Sequence, residues 1–115
     1  MKILIIEDDA SVRAVLVEIL KDQFKVATAQ DGAEGIEMIK KFKPQLVITD
    51  FRMPKKNGME IVRYIRLSKL DIKIIMVSAD ADYIKPVAKA AGADIVIKKP
   101  FSIEEITEAV DLLLA

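Results

Sequence analysis

The stretch Leu46-Val47-Ile48-Thr49-Asp50, followed by Phe51-Arg52-Met53-Pro54, decides the fold of this chain. Its short apolar run, partly β-branched and bounded by turn formers, predicts a strand that is buried on both faces. A strand that ends on a carboxylate brings that charge to the edge of a sheet, where open α/β sheets place their chemistry. Taken alone, Asp50 is better explained as the first residue of a turn, so its role depends on the rest of the chain.

The composition is that of one globular domain. The chain has 115 residues, of which 52% are hydrophobic and 31% charged. Lys and Arg together number 18, as do Asp and Glu, so the net charge is zero. This balance predicts no direct binding to nucleic acid or to an anionic membrane. No stretch is apolar for long enough to span a bilayer, and the N-terminus becomes acidic too early for a signal peptide, so we predict a cytoplasmic protein.

Two chemically important residue types are absent, since the chain has no Cys and no His. Their absence excludes disulfides, thiolate chemistry and iron–sulfur clusters, and it removes the usual zinc ligands and the commonest general base. Any metal site must therefore be built from oxygen atoms, which favours Mg²⁺, Ca²⁺ or Mn²⁺.

Strands and amphipathic helices alternate five times along the chain. Apolar runs predict strands at Lys2–Ile6, Phe24–Ala29, Gln45–Asp50, Lys73–Val77 and Asp94–Lys98. Helical spacing and capping signals predict a first helix over about Ala10–Asp22, a second ending at Lys43, a third with Arg63 and Arg66 facing outward, and a fifth starting at Ser102. The fourth is predicted from about Lys85 to Gly92, because Pro86 is best tolerated in a first turn.

This strict alternation with short connections predicts a doubly wound α/β fold, in which a five-stranded parallel sheet carries helices on both faces. No linker or repeat interrupts the pattern, so residues 1–115 are expected to form a single domain. All strands of such a sheet end at the same edge, and residues that follow different strands meet there.

Charged and hydroxyl side chains follow four of the predicted strands, and they are Glu7, Asp8 and Asp9, then Asp50, Ser78 and Lys99. Clustered carboxylates repel unless a cation holds them, and hard oxygen ligands suit Mg²⁺. A Lys and a hydroxyl at the same edge supply donors for a phosphoryl group. Each member also has a plain explanation as a helix cap, a turn residue or a solvated charge, but four such coincidences at one edge favour a functional site.

The ordered set resembles a response-regulator receiver domain of two-component signalling over the whole chain. The resemblance rests on the acidic pair after strand 1, on Asp50 with Met53-Pro54 and Gly58 behind it, on Ser78-Ala79, and on Lys99-Pro100-Phe101. It implies a flavodoxin-like fold with strand order 2-1-3-4-5. Each motif is weak alone, but their order along the chain is specific.

The same resemblance assigns roles to the site residues. It implies that Asp50 is the phosphoacceptor, that Asp8 and Asp50 bind Mg²⁺ directly with Mn²⁺ as an alternative ion, that Glu7 acts through water, and that the backbone carbonyl of Arg52 is a further ligand. Ser78 and Lys99 would contact the phosphoryl oxygens, and the Lys99–Pro100 peptide bond would be cis.

The partners also follow from the resemblance. Because the chain lacks His, a phosphohistidine donor must be another protein, either a sensor histidine kinase or a histidine phosphotransfer protein. The chain would catalyse only its own phosphorylation and dephosphorylation, and would pass the signal to a protein target through the face of strand 4, helix 4 and strand 5. Val12 and Val15, with Pro100 and Phe101, are candidates for the kinase-docking surface, although both valines could equally be core.

Three residues modify this picture. Val96 occupies a position that is aromatic in many receivers, and a β-branched side chain has little room to swing. We therefore expect the switch to act through the loop from Ser78 to Lys85. Arg52 and Asp80 lie two residues after Asp50 and Ser78, so we expect them to pair across the opening of the site and screen Asp50 from water.

Four alternatives remain open at this stage. A haloacid-dehalogenase-type phosphatase places its nucleophile after strand 1 with a second Asp two residues on, where this chain has Arg52 after Asp50. A flavodoxin proper is disfavoured because Glu7-Asp8-Asp9 would repel a bound phosphate. A phosphorylation-independent interaction module is disfavoured by the complete site. Finally, the chain is either a single-domain regulator without an output domain, which we favour, or the receiver fragment of a longer transcriptional regulator.

Overall fold

The computed structural model describes residues 1–115 and contains five strands and five helices in strict alternation. The strands are β1 (Lys2–Ile6), β2 (Lys25–Ala29), β3 (Leu46–Asp50), β4 (Lys73–Ser78) and β5 (Ile95–Lys98). The helices are α1 (Ala10–Leu20), α2 (Gly32–Phe42), α3 (Gly58–Leu67), α4 (Ala81–Ala91) and α5 (Ile103–Leu114). The predicted alternation is confirmed.

The sheet is entirely parallel, with the strand order β2-β1-β3-β4-β5. Strand β3 lies at its centre between β1 and β4, and all five of its residues are buried. Helices α2, α3 and α4 cover one face of the sheet, and α1 and α5 cover the other. The predicted strand order and the two helical layers are confirmed.

Alternating residues of β3 supply the two cores. Val47 packs into the core beneath α2, α3 and α4, whereas Leu46 and Ile48 pack into the core beneath α1 and α5. Each of these side chains is fully buried, which stabilises the fold by about 1.5–3 kcal/mol per residue. The strand therefore cannot move without disturbing both cores, and its last residue, Asp50, is held at the carboxyl edge.

Four of the five strands differ from the prediction by one residue at one end. Strands β2, β3 and β5 begin one residue later than predicted, and β4 ends one residue later, at Ser78. Gln45 and Asp94, which precede β3 and β5, still donate backbone hydrogen bonds to Lys2 and Ile74. Such residues lie at the fraying end of a ladder, where a boundary is uncertain by a residue or two.

Two helix starts carry a capping box in which side chain and backbone satisfy each other's orphan donors. The predicted box of Ser102 and Glu105 is present at α5. A second box, formed by Asn57 and Glu60, begins α3. No cap was predicted at the start of α3.

Helix α4 corrects the prediction, because it begins at Ala81 rather than near Lys85 and holds Pro86 in its interior. Ala81, Ile84 and Ala88 are buried at helical spacing, so the turn before Pro86 is needed to cover the sheet. The proline removes one helical hydrogen bond at a cost of about 3 kcal/mol. Burial of the apolar face offsets that cost, which local propensity could not reveal.

Val15, for which a docking position and a core position were both left open, is 48% exposed on α1, while Leu16 and Leu20 of the same helix are buried. Helix α1 ends at Leu20 rather than at Asp22, because its C-cap is Lys21. Arg66 was expected to face outward into solvent. Instead it is half-buried, and its guanidinium contacts the segment that leads into β5.

No helix is both long enough and apolar enough to cross a membrane.

We expect the contacts of Arg66 to contribute to stability. Its guanidinium donates to the carbonyl of Gly92 at 2.9 Å and of Ile72 at 2.9 Å, and it pairs with Asp94 at 3.0 Å. Arg66→Ala leaves these acceptors without their donor, so the free energy of unfolding in urea should fall by roughly 2–4 kcal/mol. Arg63→Ala on the same helix is the matched control, because Arg63 is exposed and makes no ion pair. Equal losses in both variants would contradict this assignment.

Candidate functional site

The carboxyl edge of the sheet brings together residues that lie far apart in sequence. Glu7 follows β1, Asp50 ends β3, Ser78 ends β4 and Lys99 follows β5. Glu7, Asp50 and Ser78 are buried, and Lys99 is partly buried. The polar groups thus lie at the rim of an otherwise apolar sheet, where electrostatic interactions are stronger than in open water.

Three carboxylates form the centre of the site. One oxygen from each of Glu7, Asp8 and Asp50 lies within 4.8 Å of the other two. Glu7 is 1% exposed and Asp50 is 8% exposed, whereas Asp8 is open to solvent. Like charges at this spacing are unfavourable without a cation, and three oxygen donors with one side open suit Mg²⁺, which keeps several of its waters. The predicted acidic pair and Asp50 therefore form a cluster that fits this ion.

Asp9 does not belong to this cluster. Its carboxylate accepts hydrogen bonds from the backbone N–H of Ser11 at 2.8 Å and of Val12 at 3.3 Å, and from the Ser11 hydroxyl at 2.6 Å. These hydrogen bonds lower the pKa of Asp9, and the bond from the Ser11 hydroxyl has the largest effect. Asp9 is therefore the N-cap of α1.

Lys99 joins the two buried carboxylates. Its Nζ lies 2.7 Å from Oε1 of Glu7 and 3.2 Å from Oδ2 of Asp50. The backbone N–H of Lys99 donates to the carbonyl of Ser78 at 2.9 Å, which holds this residue beside the end of β4. The Lys99–Pro100 peptide bond is cis, as the resemblance implies.

Burial and neighbouring charges shift the protonation of this pair. Burial, together with the charge of Asp50, raises the pKa of Glu7 to about 7, although the hydrogen bond from Lys99 opposes the shift. Burial acts to lower the pKa of Lys99, but its bond to Glu7 and the charges of Asp50 and Glu7 outweigh burial and raise that pKa. The ammonium therefore stays charged beside Asp50.

The backbone around Asp50 is closely packed. The N–H of Phe51 donates to Oδ1 of Asp50 at 2.8 Å, and the N–H of Gly58 donates to the carbonyl of Phe51 at 2.9 Å. A Cβ at Gly58 would lie 2.3 Å from the backbone oxygen of Asp50, so only glycine fits there without moving the strand end. The position of Asp50 thus depends on the start of α3.

Ser78 and Asp80 shape the opposite wall. The hydroxyl of Ser78 accepts a hydrogen bond from the backbone N–H of Asp80 at 3.0 Å. The side chain of Asp80 forms an ion pair with Nε of Arg52 at 2.7 Å, and the exposed fractions of these side chains are 39% and 76%. The pair links the loop after β3 to the start of α4. The Asp80 carboxylate makes no capping hydrogen bond to α4.

Val96 lies in the middle of β5, half-buried, with its Cα in register with Met76. It packs against the core beneath α3 and α4. The loop proposed as the switch is shorter than predicted, because Ala81 to Lys85 are already helical. Only Ala79 and Asp80 separate β4 from α4.

The four predicted docking residues surround one hollow of about 500 Å³ beside the acidic cluster. Val12, Val15, Pro100 and Phe101 line it, with Ser11, Ala79 and Lys99 completing its wall. Val12 is half-buried and Val15 is exposed, so neither valine is fully in the core. The structure thus brings these residues together at the rim of the site.

Two contacts near the site escaped the sequence analysis. The guanidinium of Arg13 reaches back from α1 to donate to the backbone carbonyl of Glu7 at 2.8 Å. Lys98, at the end of β5, pairs with Asp82 of α4 at 2.7 Å. Arg13 lies off the apolar face of α1, where the pattern does not indicate a partner. Asp82 lies before the predicted start of α4, so its place on the helix was not expected either.

Comparison with known proteins agrees with this geometry. The sequence profile of the response regulator receiver domain matches residues 3–111. The chain is 37% identical over 115 residues to the probable C4-dicarboxylate response regulator DctR of Bacillus subtilis, covering 96% of this chain and 50% of that protein. It is 34% identical over 116 residues to the response regulator MprA of Mycobacterium leprae, covering 99% and 51%. The chain thus spans about half the length of these curated relatives.

Solved structures show the same fold. The response regulator TrrA from Thermotoga maritima, in complex with Mg²⁺ and BeF, is 33% identical with a TM-score of 0.87, and 97% of each chain is covered. The chemotaxis protein CheY4 of Vibrio cholerae is 28% identical with a TM-score of 0.89, again covering 97% of each chain. The chain belongs to the response regulator receiver domain family of two-component signalling and has its flavodoxin-like fold. It is therefore neither a dehalogenase-type phosphatase nor a flavodoxin proper.

The raised pKa of Glu7 predicts a pH dependence of the metal-free protein. Its proton stabilises the folded state fully below the ordinary pKa of 4.5, and that contribution is lost as the pH rises through about 7. Without any His, few other groups titrate between pH 5 and 7.5. In EDTA, the free energy of unfolding should fall by roughly 2 kcal/mol over this range.

Glu7→Gln serves as the control for this measurement, because it keeps the shape but removes the titrating proton. Urea unfolding of this variant should show a nearly flat profile over the same pH range. A slope that persists in the variant would assign the pH dependence to another group.

Proposed function

We propose that this chain is a phosphorylation-dependent signalling switch that accepts a phosphoryl group on Asp50 from a phosphohistidine of a partner protein. The single observation that carries the proposal is the contact of Lys99 with Asp50 at 3.2 Å, inside a cluster of three carboxylates. A nucleophilic carboxylate, a cation site and a fixed ammonium are the parts that phosphoryl transfer to an Asp requires.

Each residue of the site has its own role in the proposed phosphoryl transfer. Asp8 and Asp50, with the backbone carbonyl of Arg52 and with Glu7 through water, would hold Mg²⁺. The bound ion neutralises charge on the transferred group. A carboxylate oxygen of Asp50 attacks the phosphorus, an O–P bond forms, and the N–P bond breaks with its electron pair remaining on the imidazole nitrogen. Lys99 and Ser78 donate hydrogen bonds to the phosphoryl oxygens, so the chain acts mainly by positioning and charge.

The donor is proposed to be a sensor histidine kinase or a histidine phosphotransfer protein. The apolar hollow at Val12, Val15, Pro100 and Phe101 borders Lys99, so a partner seated there would bring its phosphohistidine to the open side of the site. The chain would be an enzyme only for its own phosphorylation and dephosphorylation. The BeF complex of the related TrrA supports the same chemistry here.

The output is proposed to pass through β4, α4 and β5 to a downstream protein. The hydroxyl of Ser78 accepts a hydrogen bond from the backbone N–H of Asp80, the residue just before α4. A phosphoryl group that draws Ser78 inward would therefore pull on this helix. With Val96 in place of an aromatic residue, the shift is read by the start of α4 rather than by a rotating ring.

Residues 1–115 are proposed to act as a single receiver domain without direct nucleic-acid contact. This switch suits a single-domain regulator or phosphorelay shuttle, and it also suits the receiver part of a longer transcriptional regulator. The length of DctR and MprA, about twice the matched region, favours the second arrangement.

Incubation with acetyl phosphate and Mg²⁺ tests the proposed acceptor directly. The intact mass should rise by one phosphoryl group, and Asp50→Asn should show no gain because the nucleophile is lost. Asp8→Asn, or omission of Mg²⁺, should slow the gain strongly, since the ion has lost a ligand or is absent. A mass gain in the Asp50→Asn variant would assign the acceptor to another residue and sink the proposal. No gain in the parent protein would favour an interaction module instead.

The Arg52–Asp80 pair should set the phosphoryl lifetime. It joins the loop after Asp50 to the loop after Ser78, so we expect Arg52→Ala or Asp80→Ala to admit water and shorten the half-life of phosphorylated Asp50. The effect should be at most about fivefold, because an exposed pair is worth no more than about 1 kcal/mol. Lys21→Ala, which breaks the exposed pair with Glu18 on α1, is the matched control. Equal half-lives in all four proteins would remove this role from the pair.

A further inference from the structure

A second hollow lies between α3 and α4, on the side of α4 away from β5. It measures about 290 Å³, and its wall includes Phe51, Met59, Arg63, Tyr83 and Val87. The docking hollow at Val12 and the carboxylate cluster share none of these residues. The proposed phosphotransfer therefore leaves the hollow without a role.

The side of α4 that borders this hollow is apolar and exposed. Tyr83 is 87% exposed and Val87 is 61% exposed, one helical turn apart. Two of the three charged residues of α4 are engaged elsewhere, because Asp82 pairs with Lys98 and Lys89 donates to the carbonyl of Asp94. A contiguous apolar ridge beside a hollow is typical of a protein–protein contact rather than of a solvated helix face.

The charge on the rim is positive. Arg63 is exposed, lines the hollow and makes no ion pair within the chain. The nearby acid of α3, Glu60, caps the helix with Asn57 and lies 3.6 Å from Lys56. The hollow thus presents an apolar floor with one free guanidinium at its edge, and guanidinium groups pair well with carboxylates in two-pronged geometry.

We propose that this hollow is a docking site for an acidic amphipathic helix of a partner protein. Two neighbouring helices leave a groove that a third helix can occupy with its apolar side chains. One apolar side chain of the partner fills the hollow against Phe51 and Met59, the ridge of Tyr83 and Val87 covers it, and a carboxylate pairs with Arg63. A second copy of this chain fits poorly in a two-fold contact, since the residues that line the hollow include no carboxylate to pair with Arg63.

This inference goes beyond the proposed phosphotransfer and does not depend on it. The two sites are nevertheless adjacent, because Phe51 lines the hollow with its ring and donates its N–H to Asp50 at 2.8 Å. A partner bound here would lie one residue from the proposed acceptor.

A pair of synthetic helical peptides tests the site. Both carry the same stripe of Leu and Phe, and they differ only in having Glu or Lys at the flanking positions. Titration of the ¹⁵N-labelled chain with the Glu peptide should shift the amide resonances of Phe51, Met59, Tyr83 and Val87, while the Lys peptide should bind at least about tenfold more weakly. Arg63→Glu should reverse this preference.

Three controls make the outcome decisive. Lys21→Glu, on the far face, should leave the affinity for the Glu peptide unchanged, and Asp50→Asn should also leave it unchanged, which separates this site from the phosphoacceptor. Val87→Ser should weaken both peptides while circular dichroism shows a folded protein. Equal affinity for the two peptides, shifts confined to the hollow at Val12 and Val15, or self-association of the chain through this face would overturn the proposal.

Discussion

Burial of β3 on both faces is the constraint on which the rest of the structure depends. Leu46, Val47 and Ile48 contribute to two separate cores, so helices must cover both faces of the sheet. The carboxyl ends of the strands are then the part of the sheet left open for chemistry. Asp50 is held at that edge by the ladder to β1 and β4. A rigid strand thus fixes a charged group that would otherwise turn freely towards solvent.

Charge balance at the edge follows from the same burial. Glu7 and Asp50 are buried, and burial disfavours the charged form of Glu7. Lys99 contacts both carboxylates and partly offsets the cost of that burial. The third acid, Asp8, stays exposed, so the cluster is open on the side from which a hydrated cation or a phosphoryl donor would approach. Without a bound cation, the three carboxylates are balanced by Lys99 alone. Binding of a cation would therefore stabilise the folded domain as well as support its proposed chemistry.

Some elements were predicted correctly from the sequence pattern and others were not, and each outcome has a physical reason. The strand-end residues were predictable, because parallel strands must present their carboxyl ends together. The start of α4 was not, because the cost of an interior Pro86 was offset by burial of Ala81 and Ile84 against the sheet. Arg66 was misplaced for a related reason. A helical pattern shows which side chains share a face, but the packing of neighbouring helices decides how far round that face burial extends.

The sequence by itself determined the fold class, the strand order through its family resemblance, and the identity of the acidic, hydroxyl and cationic residues at one edge. Their periodicity and order are local properties, which the chain carries before it folds. Only the tertiary structure decided the partners of those groups: Lys99 contacts Glu7 as well as Asp50, and the guanidinium of Arg13 contacts the Glu7 carbonyl. It also left Arg63 unpaired beside an apolar hollow. The contacts of Lys99 join segments that are far apart in sequence, and their distances are set by how the two cores pack against β3.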